Sequence, residues 1–273
     1  MTASLICARG GSRRLPRKNC RPMNGIPLVG WAVIQSLSSH EIDECFLSTD
    51  DDEIQSIAES YGATVIRRPD WPDANEVSAI RPMIHGIREI QRRHADFDTL
   101  VSILPTGPLN KPEDFDTAIR LRRQIHCDVV TPLMPLREVQ IFHKISKNKA
   151  RCAVFDKHYK YLGPSSGWCV TSPSWYLWAM ADIESDLDRD LDKKAEAADE
   201  HSHVFADMYY VPMEPWQYAD CDTLAEFEMG EILMERFILK GRGRAVYDEY
   251  AALKKTSAEQ AAIRYAGNLN QQS

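Results

Sequence analysis

The sequence predicts an α/β fold: one domain with a mainly parallel sheet flanked by helices, plus one insert. Three observations point there. Over the first 131 residues, short apolar runs alternate with stretches of helical periodicity, the pattern of βαβ units. The 273 residues are 44% hydrophobic and 27% charged, an ordinary globular composition with length for one large core and an appendage. No repeat and no Pro-, Gly- or Ser-rich linker divides the chain.

Taken in order, residues 5–8 read as the first strand, followed by a basic loop. Val29, Ala32, Val33 and Leu37 then recur at helical spacing, with Pro27 suited to the first turn. A strand over 45–47 precedes a helix carrying Ile54, Ile57, Ala58 and Tyr61. A strand over 63–66 precedes a helix carrying Val77, Ile80, Ile84 and Ile87. The strand at 100–104 leads to a helix after Pro112, and 127–131 reads as the next strand. The texture then breaks. Residues 137–166 mix Lys144, Lys147, Lys149, Lys157 and Lys160 with aromatics and read as an excursion from the sheet. Residues 182–200 are acidic, a solvated helix or loop, and 204–211 look like a returning strand. Two helices, near 223–240 and 244–264, close the chain. The expected organisation is a domain over 1–240 and a helical extension over 241–273. In parallel sheets ligands bind outside the carboxyl ends of the strands, which directs attention to the loops after Ala8, Leu47 and Leu104.

Composition excludes several classes. No run of about 18 apolar residues suggests a membrane span, and the N-terminus lacks the cationic start and long apolar core of a signal peptide. Seven scattered cysteines without a C-x-x-C pair suit reduced cytoplasmic thiols, not a disulfide framework or zinc site. The formal net charge of −7 speaks against nucleic-acid binding. Asp186, Asp188 and Asp190 have the spacing of a calcium loop, but Leu191 stands where its glycine is required. His143, His158, His201 and His203 lack metal-ligand company and read as surface or packing residues.

Against that acidic background, "ICARGGSRRLPRKN" (6–19) is a local positive island. A strand, two glycines, a serine and the cations Arg9, Arg13, Arg14, Arg17 and Lys18 suit a polyphosphate, because glycine lets backbone N–H groups approach its oxygens. Asn19 can donate to a ribose or phosphate. Neither G-x-x-x-x-G-K-[ST] nor G-x-G-x-x-G is present, so this is not a standard P-loop or dinucleotide loop. The plain alternative is a solvated basic turn. Far downstream, Asp220 and Asp222 would project to one side of an extended segment, about 6–7 Å apart, a spacing that suits a divalent ion. Asp222 capping the next helix is the bland alternative, but Thr223 and Glu226 already form a T-x-x-E capping box. Ala225, Met229, Ile232 and Leu233 would be that helix's buried stripe. Asp50, Asp51 and Asp52 read as a helix start favoured by the helix dipole.

"ARGGSRRLPRKN" (8–19), running into "NGIPLVGWAV", resembles the signature of the acylneuraminate (CMP-sialic acid) cytidylyltransferases. "STDDDEI" (48–54), "RRPDWPDA" (67–74), "LPTGPLNKPEDFDTAI" (104–119) and "DCDTLAEFEMGE" (220–231) are similar to that family's later motifs, in order. The resemblance implies a Rossmann-like nucleotidyltransferase domain that couples CTP to a 2-keto sugar acid and releases pyrophosphate. It implies catalytic roles for Arg9, Lys18 and Asp222, and Mg²⁺ on Asp220 and Asp222. Nucleotide contacts would come from Ala8, Gly10, Gly11, Ser12, Arg13 and Asn19 in the opening loop, and from Arg68, Ser78, Pro105 and Thr106 beyond it. It further implies a cytoplasmic homodimer whose arm is the insert near 137–166, with no nucleic-acid or membrane partner. Where the family has glutamine, serine and arginine, this chain has Leu104, Gly107 and Asn110, and 161–177 departs from the family's strand. Losing an arginine removes a permanent charge and a carboxylate-matching fork, so the acceptor stays open: sialic, legionaminic, pseudaminic or Kdo-like acid, or another. Two alternatives remain, a sugar nucleotidyltransferase using another nucleotide or a sugar phosphate, and a non-catalytic nucleotide-binding homologue.

Overall fold

The computed structural model describes residues 1–12, 14–69, 71, 80–136, 139–146, 149–156, 162–164, 167–186 and 208–241. Among them the expected alternation is realised. Strand β1 (Thr2–Cys7) leads through the basic loop and a small hairpin, β2 (Pro22–Met23) and β3 (Ile26–Pro27), into α1 (Leu28–Ser38). Then follow β4 (Glu44–Thr49), α2 (Asp52–Ser60), β5 (Thr64–Arg67), α3 (Ile80–Arg93), β6 (Thr99–Ile103), α4 (Pro112–Ile125) and β7 (Val129–Pro135). Pro27 sits one residue before α1, not in its first turn. Val77 lies outside the described residues.

Strands β5, β4, β1 and β6 form a parallel block in that spatial order, so the β1 loop emerges at its middle. The next strand in space is antiparallel: β11 (Trp168–Thr171) lies between β6 and β7. The short β10 (Leu162–Pro164) also pairs antiparallel with β7, and β12 (Met208–Pro212) pairs with β7 in parallel. Alternate residues of β1 feed opposite layers. Ile6 packs with Val29, Val33, Ile54 and Phe115 of α1, α2 and α4, whereas Leu5 packs with Met83, Ile87 and Ile90 of α3. Helix α5 (Pro173–Asp186) reaches that second layer through Tyr176 and Leu177.

The excursion after β7 is a separate antiparallel ribbon, β8 (Val139–Ser146) and β9 (Lys149–Asp156), paired among the described strands only with itself. Lys147, Lys157, Lys160, His158, Asp188, Asp190, His201, His203 and the expected helix over 244–264 lie outside the described residues. The helix expected near 223 is α6 (Leu224–Leu233), continued by π-helical Met234–Leu239. Its buried stripe differs from the expectation. Ala225 is exposed, as are Met229 and Ile232, and Leu233 is half-buried. Phe227, Gly230 and Met234 face inward, because Gly230 lets α6 close on Cys221 and Met23: a Cβ there would stand 3.0 Å from the Cys221 sulfur. That contact holds the aspartate segment against the hairpin.

Candidate active site

At the carboxyl ends of the parallel strands lies a cleft of about 600 Å³. The turn after β1 contributes Arg9, Ser12, Arg14, Lys18 and Asn19 to it. The segments after β5 and β6 contribute Arg68, Pro69, Trp71, Leu104, Pro105 and Thr106, and Asp220 and Asp222 close it. The cationic turn and the distant acidic pair therefore share one cleft. The Lys18 ammonium pairs with Asp222, 204 positions away, and so does the Arg14 guanidinium. Lys18 is buried, whereas Arg14 is largely exposed, and a solvated pair of the latter kind contributes about 0–1 kcal/mol.

Local sequence accounts for how the aspartates are held. Cys221, fully buried between them, donates its backbone N–H to the Thr106 carbonyl at 2.9 Å, joining the segment to the loop after β6. Thr223 is the N-cap of α6 and accepts from the Glu226 N–H at 3.3 Å, while Glu226 accepts from the Thr223 N–H at 2.7 Å. Glu226 also accepts from the Asp222 N–H at 3.1 Å, so the capping box frees the Asp222 carboxylate and fixes its backbone. The segment is not extended as expected: the Asp222 N–H turns back to the Asp220 carbonyl at 2.8 Å. Both side chains nonetheless reach the cleft.

The turn after β1 is stitched from within. Asn19 donates to the Arg9 carbonyl at 3.0 Å and also borders the cleft. The Gly10 N–H is engaged by Asp50 at 3.1 Å and is not directed to an incoming oxygen. Asp50 thus binds the turn and lines the cleft, a role that reading it as a helix start missed. Asp51 is the N-cap of α2, accepting from the Ile54 N–H at 3.0 Å, and Asp52 lies in the first turn, as the sequence suggested. Arg17 does not line the cleft; its guanidinium is bound by Asp51 and Glu53. That pairing, with the helix N–H groups, holds the Asp51 carboxyl below its ordinary range. Ala8 is buried beneath the cleft, its N–H bonded to the Ser48 carbonyl at 3.0 Å, and Gly11 is exposed. Arg13 and Ser78 lie outside the described residues.

The two ends of the cleft differ. At the β5 end Arg68 is buried and donates to the Ser48 hydroxyl at 3.0 Å and carbonyl at 2.8 Å. Beside it Trp71 presents an aromatic face, backed by Arg81 at 5.4 Å and the edge of His85 at 5.9 Å. Cys7 also lines this end, its thiol pushed up to about 11 by burial against the opposing pull of Arg68. The motif "RRPDWPDA" (67–74) spans Trp71, but it was read for Arg68, since one tryptophan beside prolines carries no periodic signal. At the β6 end Leu104 is 39% exposed, and its N–H is bonded to the Gly167 carbonyl at 2.7 Å. Asn110 was expected to bear on the acceptor. It is instead 1% exposed, outside the cleft lining, and donates to the Gly107 carbonyl at 2.9 Å.

A mainly parallel sheet whose central turn sets arginine, serine and lysine against two carboxylates is the construction of the Rossmann-like nucleotidyltransferases, which cradle a triphosphate at strand ends. The sequence profile of the cytidylyltransferase family matches residues 3–144, and the chain belongs to that family. It is 34% identical over 119 residues to "N-acylneuraminate cytidylyltransferase A" of Danio rerio, covering 44% of this chain and 27% of that protein. It is 34% identical over 131 residues to "CMP-N,N'-diacetyllegionaminic acid synthase" of Legionella pneumophila, covering 47% and 56%. The chain therefore spans between a quarter and somewhat over half of these relatives. In structure it is similar to CMP:2-keto-3-deoxy-manno-octonic acid synthetase complexed with CTP (TM-score 0.59, 18% identity, 86% of this chain and 99% of that one). It is also similar to 4-diphosphocytidyl-2C-methyl-D-erythritol synthase of Anaerococcus prevotii (TM-score 0.64, 14% identity, 86% and 96%). The structural likenesses carry the fold.

Proposed function

We propose that the cleft transfers the cytidylyl group of CTP to a hydroxyl of a 2-keto sugar acid and releases pyrophosphate. The observation that carries this reading is the meeting of Lys18 and Asp222 at the mouth of β1. Arg9, Ser12, Arg14 and Lys18 hold the β- and γ-phosphates, and Arg13 belongs to the same sequence cluster. Transfer forms a bond between the acceptor oxygen and the α-phosphorus and breaks the bond from that phosphorus to the bridging oxygen, which leaves with pyrophosphate, while the hydroxyl proton passes to solvent. The work asked of the protein is therefore positioning and neutralisation of developing charge, which Lys18 supplies. The base lies at the β5 end, where Trp71 lines the cleft together with Arg68, Pro69 and Pro82. The acceptor lies at the β6 end against Leu104, Pro105 and Thr106.

Two carboxylates at the phosphate end are a donor set that fits Mg²⁺, which prefers few carboxylates together with phosphate oxygens and water. Bound by Asp220 and Asp222, the ion would neutralise phosphate charge and polarise the α-phosphate. Lys18 and Arg14, the present partners of Asp222, would then turn to phosphate oxygens. The β8–β9 ribbon, paired in the described residues only with itself, supports its reading as an arm of a homodimer. The scattered cysteines, with no C-x-x-C pair, support a reducing, cytoplasmic setting.

The test is pyrophosphate release by the purified chain with Mg²⁺, each of the four nucleoside triphosphates, and a panel of sialic, legionaminic, pseudaminic and Kdo-like acids. Release is expected only when CTP and a keto acid are both present. Turnover with UTP or GTP and a sugar phosphate, or none with any pair, would refute the reading.

A further inference from the structure

We propose that Arg17 is a positioning residue: its clamp on Asp51 and Glu53, at the start of α2, sets the turn so that the neighbouring Lys18 meets Asp222. The inference rests on the role given to Lys18 above. One Arg17 nitrogen donates to Asp51 Oδ2 at 2.6 Å. The other donates to Asp51 Oδ1 at 3.0 Å, pairs with Glu53 and reaches the Cys20 sulfur at 3.3 Å. A two-pronged guanidinium–carboxylate contact fixes orientation as well as distance.

The backbone carries the same constraint. Arg17 has φ 56° and ψ 28°, the left-handed region that a residue with a Cβ seldom adopts unless its surroundings enforce it. From that conformation its carbonyl receives the Cys20 N–H at 3.0 Å, closing the 3₁₀ turn Lys18–Cys20. The other limb of the loop is held by the same acidic run. Gly10 donates to Asp50, and a Cβ on Gly10 would stand 2.3 Å from Asp51 Oδ2. Asp50, Asp51 and Glu53 thus grip the loop at Gly10 and Arg17, and Lys18, next after Arg17, pairs across the cleft with Asp222. Asp52 pairs instead with Arg67, so three of the four consecutive acidic residues form the socket of the turn.

Arg17→Gln and Asp51→Asn, singly and together, test the clamp. Asparagine also serves as an N-cap, so α2 keeps its start while the fork is lost. With CTP, Mg²⁺ and an acceptor that turns over, each variant should lower kcat by about 10–100-fold, the scale of a small misplacement. The KM for CTP should stay within about threefold. The double variant should be no worse than the more affected single one, because both break one contact. Arg17→Lys, which restores charge without the fork, should recover part of the loss. A second readout needs no substrate. Reductive methylation of Lys18, followed by peptide mass and carried out well below the unfolding transition of each protein, should become several-fold faster in both variants. Wild-type kcat and wild-type Lys18 reactivity in Arg17→Gln overturn the clamp, as do losses that multiply in the double variant. If the wild-type chain releases no pyrophosphate with any acceptor, the transfer reading falls, and Lys18 reactivity alone then decides for or against the clamp.

Discussion

Lys18 and Asp222 are the pair on which the site turns, and each has a distinct expected phenotype. Removing the Lys18 ammonium would take a charge from the leaving phosphates, while Asp222 keeps Arg14 as a partner. Lys18→Ala should lose about 10²–10³-fold in kcat for pyrophosphate release while its thermal unfolding stays close to wild type. Asp51 gives a pH signature. Its carboxyl is held below the ordinary value of 3.8, first by Arg17 and then by the helix N–H groups. A depressed folded-state pKa contributes stability that is present above the unfolded value and lost as pH falls through the folded one. Asp51→Asn should therefore be less stable than wild type from neutrality down to about pH 4, and the gap should close in more acid solution, as read by urea unfolding at each pH. Some residue roles were legible and others were not. Charge type singled out Lys18, Asp220 and Asp222, and the fold sets the three in one cleft. It did not show that Arg17 faces away from the cleft, that Gly10 is engaged by Asp50, or that Asn110 is buried. Those outcomes depend on which carboxylate a folded turn meets, and spacing along the chain does not encode it.

Helices and loops carry the next set of consequences. The periodicity of α1 and α2 was readable because one face of each helix meets the core. The inward face of α6 was not, because it is chosen by Gly230, whose missing side chain admits Cys221, and a hydrophobic pattern assigns no weight to a glycine. Strand β11 was hidden for another reason: it enters antiparallel between β6 and β7, so its position depends on long-range pairing. The capping box of α6 couples an element boundary to chemistry, since Glu226 accepts from the N–H groups of both Thr223 and Asp222. Glu226→Ala should lower stability in denaturant unfolding, because the N–H groups of Asp222 and Thr223 lose their acceptor. It should also weaken Mg²⁺-dependent CTP binding, by calorimetry, more than that stability change accounts for. On the other layer, Gly86 brings α3 onto β1: a Cβ there would stand 2.6 Å from a Leu5 methyl. Gly86→Ala should destabilise the fold by about 1–3 kcal/mol in urea while leaving kcat at wild type, which separates packing from chemistry.

At the scale of the molecule, the arrangement of strands gives the cleft three sectors. The β1 turn stands at the middle of the parallel block, with the Trp71 segment on one side and the Leu104 segment on the other, and the proposed reading assigns these to phosphates, base and acceptor. This division followed from the order of strands and motifs, whereas the acceptor's identity does not: Leu104 is an exposed apolar side chain at the acceptor end, and several sugar acids could meet it. The β8–β9 ribbon makes a prediction at the same scale. Replacing residues 139–156 by a short Gly-Ser linker should convert a dimer to a monomer in sedimentation velocity, and a wild-type chain that sediments as a monomer would remove the arm from the account. The central claim, that Lys18 and Asp222 serve one triphosphate and its ion across the cleft, is tested most directly by titrating CTP calorimetrically into wild type and Asp222→Asn, each with and without Mg²⁺. Mg²⁺ should strengthen CTP binding to the wild type and make little difference to the variant; an equal Mg²⁺ effect in both would contradict the account.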